Sequence, residues 1–513
     1  MLRLLLLITA LSLSVDNLFS QVQQPRRIEI ELGDDDNPFK TVSAGEEGLI
    51  LYREVKNRET RMERKWQVIR LDTLLNVVFE TYLFVDLRYI NIGFEYSGGY
   101  FYMLFQQSTE SLRADWYLLR LNLETVAAET FLIQRDYPLE LTEYKVLNNL
   151  MIFAGYSSSR PAVICYEFGI NQPIALPGFF SDKSELLQVE ADETMGVFNV
   201  LSSIRIRDGR RSISLKTFDE KTNLLKNISL QPSSERSLLY GRSITLNDSQ
   251  NLVVGTFTRR RSDMSRGLFL AKIAPTGEQV INYYNYADLK NFFSYLKARK
   301  QKKIQDKIER KKVRGKKLKF SYRLLVHDID EREKSYVMVG EAFYPKYSSM
   351  PFYGTSMYYA GTSYMAFEGY KYTHAVVIGF DERGRLLWDN SFEINDVVSY
   401  NLEQYVHMIP SGNRAVLLYL FDNVIRTKII EETNVLEGKS FDELQLSFED
   451  DTITEDKYAY GAWRQPFGGE YGGLRSWYGD NLYAFGIQRI KNLRDEGVKL
   501  NREVFFINKI TYD

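Results

Sequence analysis

His327, His374 and His407 are the only histidines in 513 residues, and no two of them stand four apart as ligands on one helix face would. Each lies within a strand-like pattern, so all three are read as structural, and neither a metal nor a cofactor is expected. Asp34-Asp35-Asp36-Asn37 offers the hard oxygens that calcium takes. It lacks the alternating ligands and the later bidentate Glu of a calcium loop, and is read as a turn. His327-Asp328-Ile329-Asp330-Glu331 is likewise read as a strand end. Cys165, the single cysteine, falls in the apolar run 162–168 and should be a buried, inert thiol. The chain has no Gly-x-Ser-x-Gly elbow, no phosphate-binding loop and no dinucleotide fingerprint. Two well-placed carboxylates would suffice for glycoside hydrolysis, but spacing alone cannot choose a pair among 67 acidic residues. No catalytic residue is assigned, and the balance leans away from an enzyme.

Two stretches carry chemistry suited to binding. From Lys297 to Lys319 there are thirteen Lys or Arg against Asp306 and Glu309, a net of +11, so the remainder of a chain that totals −1 carries −12. Within 286–319, Leu289, Phe292, Phe293, Leu296, Ile304 and Ile308 recur mostly at three or four residues, which predicts a basic amphipathic helix. Lys300, Lys303, Lys307, Arg310, Lys311 and Arg314 are its candidate contact residues. An acidic protein, an anionic lipid headgroup or lipopolysaccharide would suit this charge. Nucleic acid is not expected, because no recognition motif accompanies it.

The second stretch, 343–373, is predicted to be a loop rich in Tyr and Gly. Tyr347, Tyr353, Tyr358, Tyr359 and Tyr364 are its candidate contact residues. Tyr interspersed with Gly and Ser gives large contact area at low side-chain entropy cost. The same aromatics could instead cover the end of a sheet. A further cluster of aromatic and glycine residues spans Trp463, Phe467, Glu470-Tyr471-Gly472-Gly473, Trp477 and Tyr478.

Trp66-Gln-Val-Ile-Arg-Leu71 and Trp116-Tyr-Leu-Leu-Arg-Leu121 stand about fifty residues apart, and Asn251-Leu-Val-Val-Gly255 resembles Ser335-Tyr-Val-Met-Val-Gly340. A period near fifty, filled by strands, marks radially repeated four-stranded sheets. The first unit takes strands near 40–44, 49–55, 66–71 and 75–84, and the second 89–96, 100–106, 115–121 and 126–134. Further units cover 143–176, 186–230 and 243–284; the basic segment precedes a sixth unit, which holds the Tyr-rich stretch, and then come 402–446 and one using 458–463, 481–488 and 504–512. Turns at Gly277 and Gly384 call for a positive φ. The last unit lacks a strand, and Arg27-Ile-Glu-Ile-Glu-Leu32 alternates strictly without a unit of its own. Pairing it with 504–512 closes a ring.

The fold class is therefore all-β: a β-propeller of eight four-stranded blades, seven being the alternative count, closed by its N-terminal strand and carrying one inserted basic helix. Two packed sandwich domains are the competing architecture.

Residues 1–20 combine Arg3 with an apolar run of signal-peptide length, too short for a membrane span, leaving 21–513 as one propeller domain. On its period and on strands such as Leu268-Phe-Leu-Ala-Lys-Ile273, the chain resembles exported bacterial β-propeller proteins at the superfamily level. The leader and the lack of any disulfide point to a bacterial periplasmic or cell-surface location, and the resemblance carries over no catalytic residue. The helix and loop make the first functional expectation a non-catalytic scaffold that recruits a protein or anionic envelope component through them. A polysaccharide-binding or polysaccharide-cleaving propeller is the alternative. In a four-stranded meander, links between blades and links between second and third strands leave on one face, so both insertions should share a rim.

Overall fold

In the computed structural model of this chain, described residues run from 22 to 512, apart from 34–35, 57–61, 108–112, 136, 171, 182–183, 207, 234, 247–249, 260–261, 317, 333–334, 352–362, 396, 412–413, 422–423, 432–433, 436–441, 446–451, 458–471 and 492–501. Residues 1–20, Asp34 and Asp35, and Trp463, Phe467, Glu470 and Tyr471 of the aromatic and glycine cluster lie outside them.

Leu49-Ile50-Leu51-Tyr52 shows why this sequence makes blades. All four side chains are buried, Leu49 and Leu51 in one apolar cluster and Ile50 and Tyr52 in the next. A strand that sends alternate side chains into two cores has no polar face, and so reads as a continuous apolar run. The same division recurs around the molecule. Eight buried clusters each join one four-stranded sheet to the next. Trp66 and Trp116 hold matching places, meeting Phe105 and Phe153 of the following blade with ring centroids 5.7 and 4.7 Å apart.

Eight antiparallel sheets form the ring. Blade 1 runs Lys40–Ser43, Leu49–Val55, Glu63–Leu71 and Val77–Asp86, and blade 2 runs Tyr89–Ser97, Tyr100–Gln107, Trp116–Asn122 and Ala128–Ile133. Blades 3, 4 and 5 begin with inner strands Glu140–Leu147, Ser184–Asp192 and Arg236–Thr245. Blade 6 comprises Arg323–Arg332, Ser335–Pro351, Ser363–Phe380 and Leu386–Glu393, and blade 7 opens with His407–Ser411. Gly155 and Gly255, on second strands, lie at or beside inner-strand bulges, where an added Cβ would come within 2.1 Å of Glu140 O and 2.0 Å of Tyr240 O. At these two positions glycine admits close backbone approach.

Blade 8 closes the circle as predicted. Val22–Leu32 is its outer strand, pairing with Arg502–Tyr512 so that Ile28 faces Ile507. Next comes Leu482–Lys491, whose other side takes Thr452–Lys457 and Gly473–Ser476. The strand expected at 458–463 lies outside the described residues. Gly277 and Gly384 adopt φ of 90° and 71° in turns between third and fourth strands, as their sequence context requires.

Candidate functional site

The stretch after blade 5 is helical over only part of its expected length. Ala298–Val313 forms the helix, α1, while residues 286–296 fold as turns against blade 6. Those turns are held by polar bonds that a continuous helix could not make. Lys290 N and Asn291 N donate to the Asp389 carboxylate at 2.9 and 2.6 Å, and Tyr295 N donates to Ser391 Oγ at 3.0 Å. Tyr286, Leu289, Phe292 and Phe293 enter the cluster between blades 5 and 6. The Tyr295 ring stacks on His374 at 3.7 Å, with Phe292 and Tyr322 edge-on, and burial pushes this imidazole down to about 3. The linker is therefore a rigid mount.

On that mount, Leu296, Ile304 and Ile308 turn toward the same cluster. Lys300, Lys303, Lys307, Arg310 and Arg314 face solvent, while Lys311 is half-buried. Gly315, at φ 66°, ends α1 in a Schellman turn: Lys316 N donates to Lys311 O and Gly315 N to Lys312 O, each at 2.9 Å. Among the described residues, no cation from Lys297 to Lys319 forms an ion pair. Between blade 5 and the segments flanking α1 lies a recess of about 460 Å³ whose charged lining is Arg236, Arg259, Arg266 and Lys319 together with Glu235 and Asp288, Glu235 pairing with Arg259. Arg266 Nη1 is buried there without a hydrogen-bond partner.

The Tyr-rich stretch is a β-ribbon more than a loop. The ladder between Ser335–Pro351 and Ser363–Phe380 continues past the blade to Pro351↔Ser363, with Tyr347 opposite Phe367. Tyr344 and Tyr347 are 46% and 51% exposed, and beside them Phe367 and Tyr400 are 38% and 43% exposed, forming an aromatic strip open to solvent. The Phe367 ring meets Tyr347, Tyr370 and Tyr400 at 5.6, 5.1 and 6.1 Å. Tyr364 sits in the ladder opposite Met350; Tyr353, Tyr358 and Tyr359 lie outside the described residues. The start of the Arg323–Arg332 strand and the hairpin end of the blade 6 ladder share one end of the sheet, so α1 and the ribbon leave on one face. α1 packs on the cluster shared by blades 5 and 6, and the ribbon pairs with Val398–Ser399 on the blade 7 side.

A second polar site lies on the ring axis. Inner strands of blades 2 to 6 line a cavity of about 520 Å³ that includes Glu95, Glu143, Lys145, Glu190, Arg242 and Asp328. Lys145 Nζ bonds both Glu95 oxygens, at 3.0 and 3.3 Å. Burial raises the Glu95 and Glu143 carboxyls, and lifts Glu190 to about 7 against the pull of hydrogen bonds from Asn199 and Ser243. Burial alone would lower Lys145, but the Glu95 carboxylate outweighs it and holds the ammonium above its ordinary value. Sequence reasoning missed this group. Its signal was there: Glu95, Lys145, Glu190 and Arg242 recur at about the period of the repeat.

Ring closure and blade topology define the class as a β-propeller. No protein-family model matches the chain, and no curated protein matches it. Among solved structures it is similar to the β-propeller domain of the Trilobed protease from Pyrococcus furiosus, at 8% identity, covering 80% of this chain and 99% of that one with a TM-score of 0.35. Polysaccharide lyase Uly1 matches at 8% identity over 96% of this chain and 100% of that one, with a TM-score of 0.37. TolB from Acinetobacter baumannii matches at 11% identity over 69% and 65%, with a TM-score of 0.28.

Proposed function

We propose that this protein is an exported, non-catalytic binding propeller that docks an acidic protein partner of the bacterial periplasm or cell surface on the blade 6 rim. One observation carries this: α1 holds exposed cations that form no ion pair among the described residues, on the same face as an open aromatic strip. Unpaired charge on a rigid mount speeds encounter, and exposed Tyr and Phe supply contact area once the partner is seated. The recess at the segments flanking α1 holds four cations against Glu235 and Asp288, and its Arg266 Nη1, without a hydrogen-bond partner, suits a partner carboxylate. A lipid surface fits less well, because Ile304 and Ile308 face the propeller and are not free to enter a bilayer. Among the described residues, no helix is long and apolar enough to cross a membrane.

Deleting 285–319 would be a poor test, since Tyr286, Phe292 and Phe293 belong to the core. Reversing Lys300, Lys303, Lys307 and Arg310 to Glu spares the packing. Binding to immobilised poly-L-glutamate should weaken at least about tenfold in that variant, from several rim charges worth a few tenths of a kcal/mol each. Lys221→Glu with Arg383→Glu, on the opposite face, should leave binding nearly unchanged. Equal loss in both variants, or retention on phosphatidylserine vesicles but not on poly-L-glutamate, would reject the proposal.

A further inference from the structure

The axial cavity is built from a repeated backbone device. Inner strands of blades 2 to 5 each slip register by one residue, between Asn91 and Gly93, Leu141 and Glu143, Leu186 and Gln188, and Leu238 and Tyr240. Two residues after pairing resumes stand Glu95, Lys145, Glu190 and Arg242. A bulge re-aims the side chains that follow it, so these four reach the cavity at one level. Asp328, inside the blade 6 bulge, continues the order. At this level the charges run negative, positive, negative, positive, negative from blade 2 to blade 6, and Glu143 and Glu193 add two further carboxylates to the lining.

Only part of this ring is satisfied internally. Glu95 and Lys145 complete each other. Arg242 Nε stands 3.6 Å from Asp328 Oδ1, outside good hydrogen-bond range, and that buried nitrogen has no hydrogen-bond partner. Glu190 Oε2 accepts long bonds of 3.4 Å from Asn199 Nδ2 and 3.3 Å from Ser243 Oγ, and among the described residues it forms no ion pair. Gln188 fixes the local backbone by accepting from Ser243 N at 2.8 Å. Glu190 and Arg242 thus face one cavity from neighbouring strands, and no ion pair joins them. Burying opposite charges near each other without letting them meet is costly unless something completes both.

We propose that the axial cavity binds a small zwitterion of the α-amino-acid class, its carboxylate on the Arg242 guanidinium and its ammonium on the Glu190 carboxylate. A simple anion would meet the surplus of carboxylates in the lining, and a simple cation on Glu190 would leave Arg242 Nε without an acceptor, whereas a ligand of opposed charges serves both. The volume lies within the range of small-molecule sites. This site is independent of the blade 6 rim.

The test is calorimetric titration of the full mature chain with each proteinogenic L-α-amino acid, followed by the N-acetyl and methyl ester forms of any that binds. At least one amino acid should bind, and Glu190→Gln and Arg242→Gln should each weaken it at least about tenfold, as charge-assisted hydrogen bonds require. Blocking the amine or the carboxylate should cost wild type a similar factor. Esterification should cost Arg242→Gln little more, and acetylation Glu190→Gln little more. Should either variant fail to fold, the two blocked forms on wild type decide. No binding by any amino acid, or a methyl ester that binds as well as its parent, overturns the proposal. Poly-L-glutamate binding should be unchanged in both variants, which separates this site from the rim.

Discussion

Glu341 is fully buried and shows how single residues seat one blade against the next. Its Oε2 meets His327 Nε2 at 3.0 Å, while its Oε1 accepts from Tyr405 N at 3.0 Å and Val406 N at 2.5 Å, across the junction of blades 6 and 7. Glu341→Ala would strand a buried imidazole and two amide donors. The expected loss is about 3–5 kcal/mol, read from chemical denaturation at neutral pH. Glu190 makes a different prediction. Its ordinary pKa of 4.5 rises to about 7 in the fold, so between these values the folded state holds a proton that the unfolded state has released. Stability from this group is complete below about 4.5 and is lost as pH rises through about 7. Glu95, Glu143, Lys145, Glu193, Arg242 and Asp328 line the same cavity and are common to wild type and variant. Comparing wild type with Glu190→Gln therefore isolates the effect. The wild type should lose stability relative to Glu190→Gln over that window; a parallel pH profile would contradict it. Such residues were hard to see in the sequence because their meaning lies between blades. A carboxylate in one strand gives no sign of the cation in the next unless charges are compared at the period of the repeat.

At the scale of elements, the closing strand bears more than its backbone ladder. Arg27, whose side chain is 2% exposed, reaches Gln488 Oε1 at 2.7 Å and lies 4.5 Å over the Phe506 ring, while Glu29 takes Arg502 at 2.6 Å. Removing 22–32 would open the edge of Arg502–Tyr512 and unpair this polar clasp. We expect a loss of at least about 4 kcal/mol together with concentration-dependent aggregation, measured by thermal melting and light scattering. Gly315→Ala is a milder change. It places a Cβ at φ 66°, should cost about 1 kcal/mol at the end of α1, and should leave the ring's melting intact. The closing strand was legible because strict alternation without a unit of its own admits few placements. The limits of α1 were not. Leu289, Phe292 and Phe293 have helical spacing, but bonds to Asp389 and Ser391 and burial between blades hold them in turns. The ribbon was hidden for a related reason, since Tyr and Gly fit a loop as readily as a ladder whose pairing partner lies some twenty residues on.

For the whole molecule, the count of blades follows from the packing. Every sheet shares an apolar cluster with each neighbour, so a period that runs through the chain fixes the ring, and the first strand supplies what the last unit lacks. Topology then places α1 and the ribbon on one face, with the turns at Gly277 and Gly384 on the other. The direct test of rim docking is a hydrogen-exchange footprint of the full chain with and without poly-L-glutamate. Slowed exchange should fall on Ala298–Val313 and on the projecting ribbon near Tyr344 and Phe367. Protection confined to the turns around Gly277 and Gly384, or to the strands lining the axis, would contradict a blade 6 docking surface.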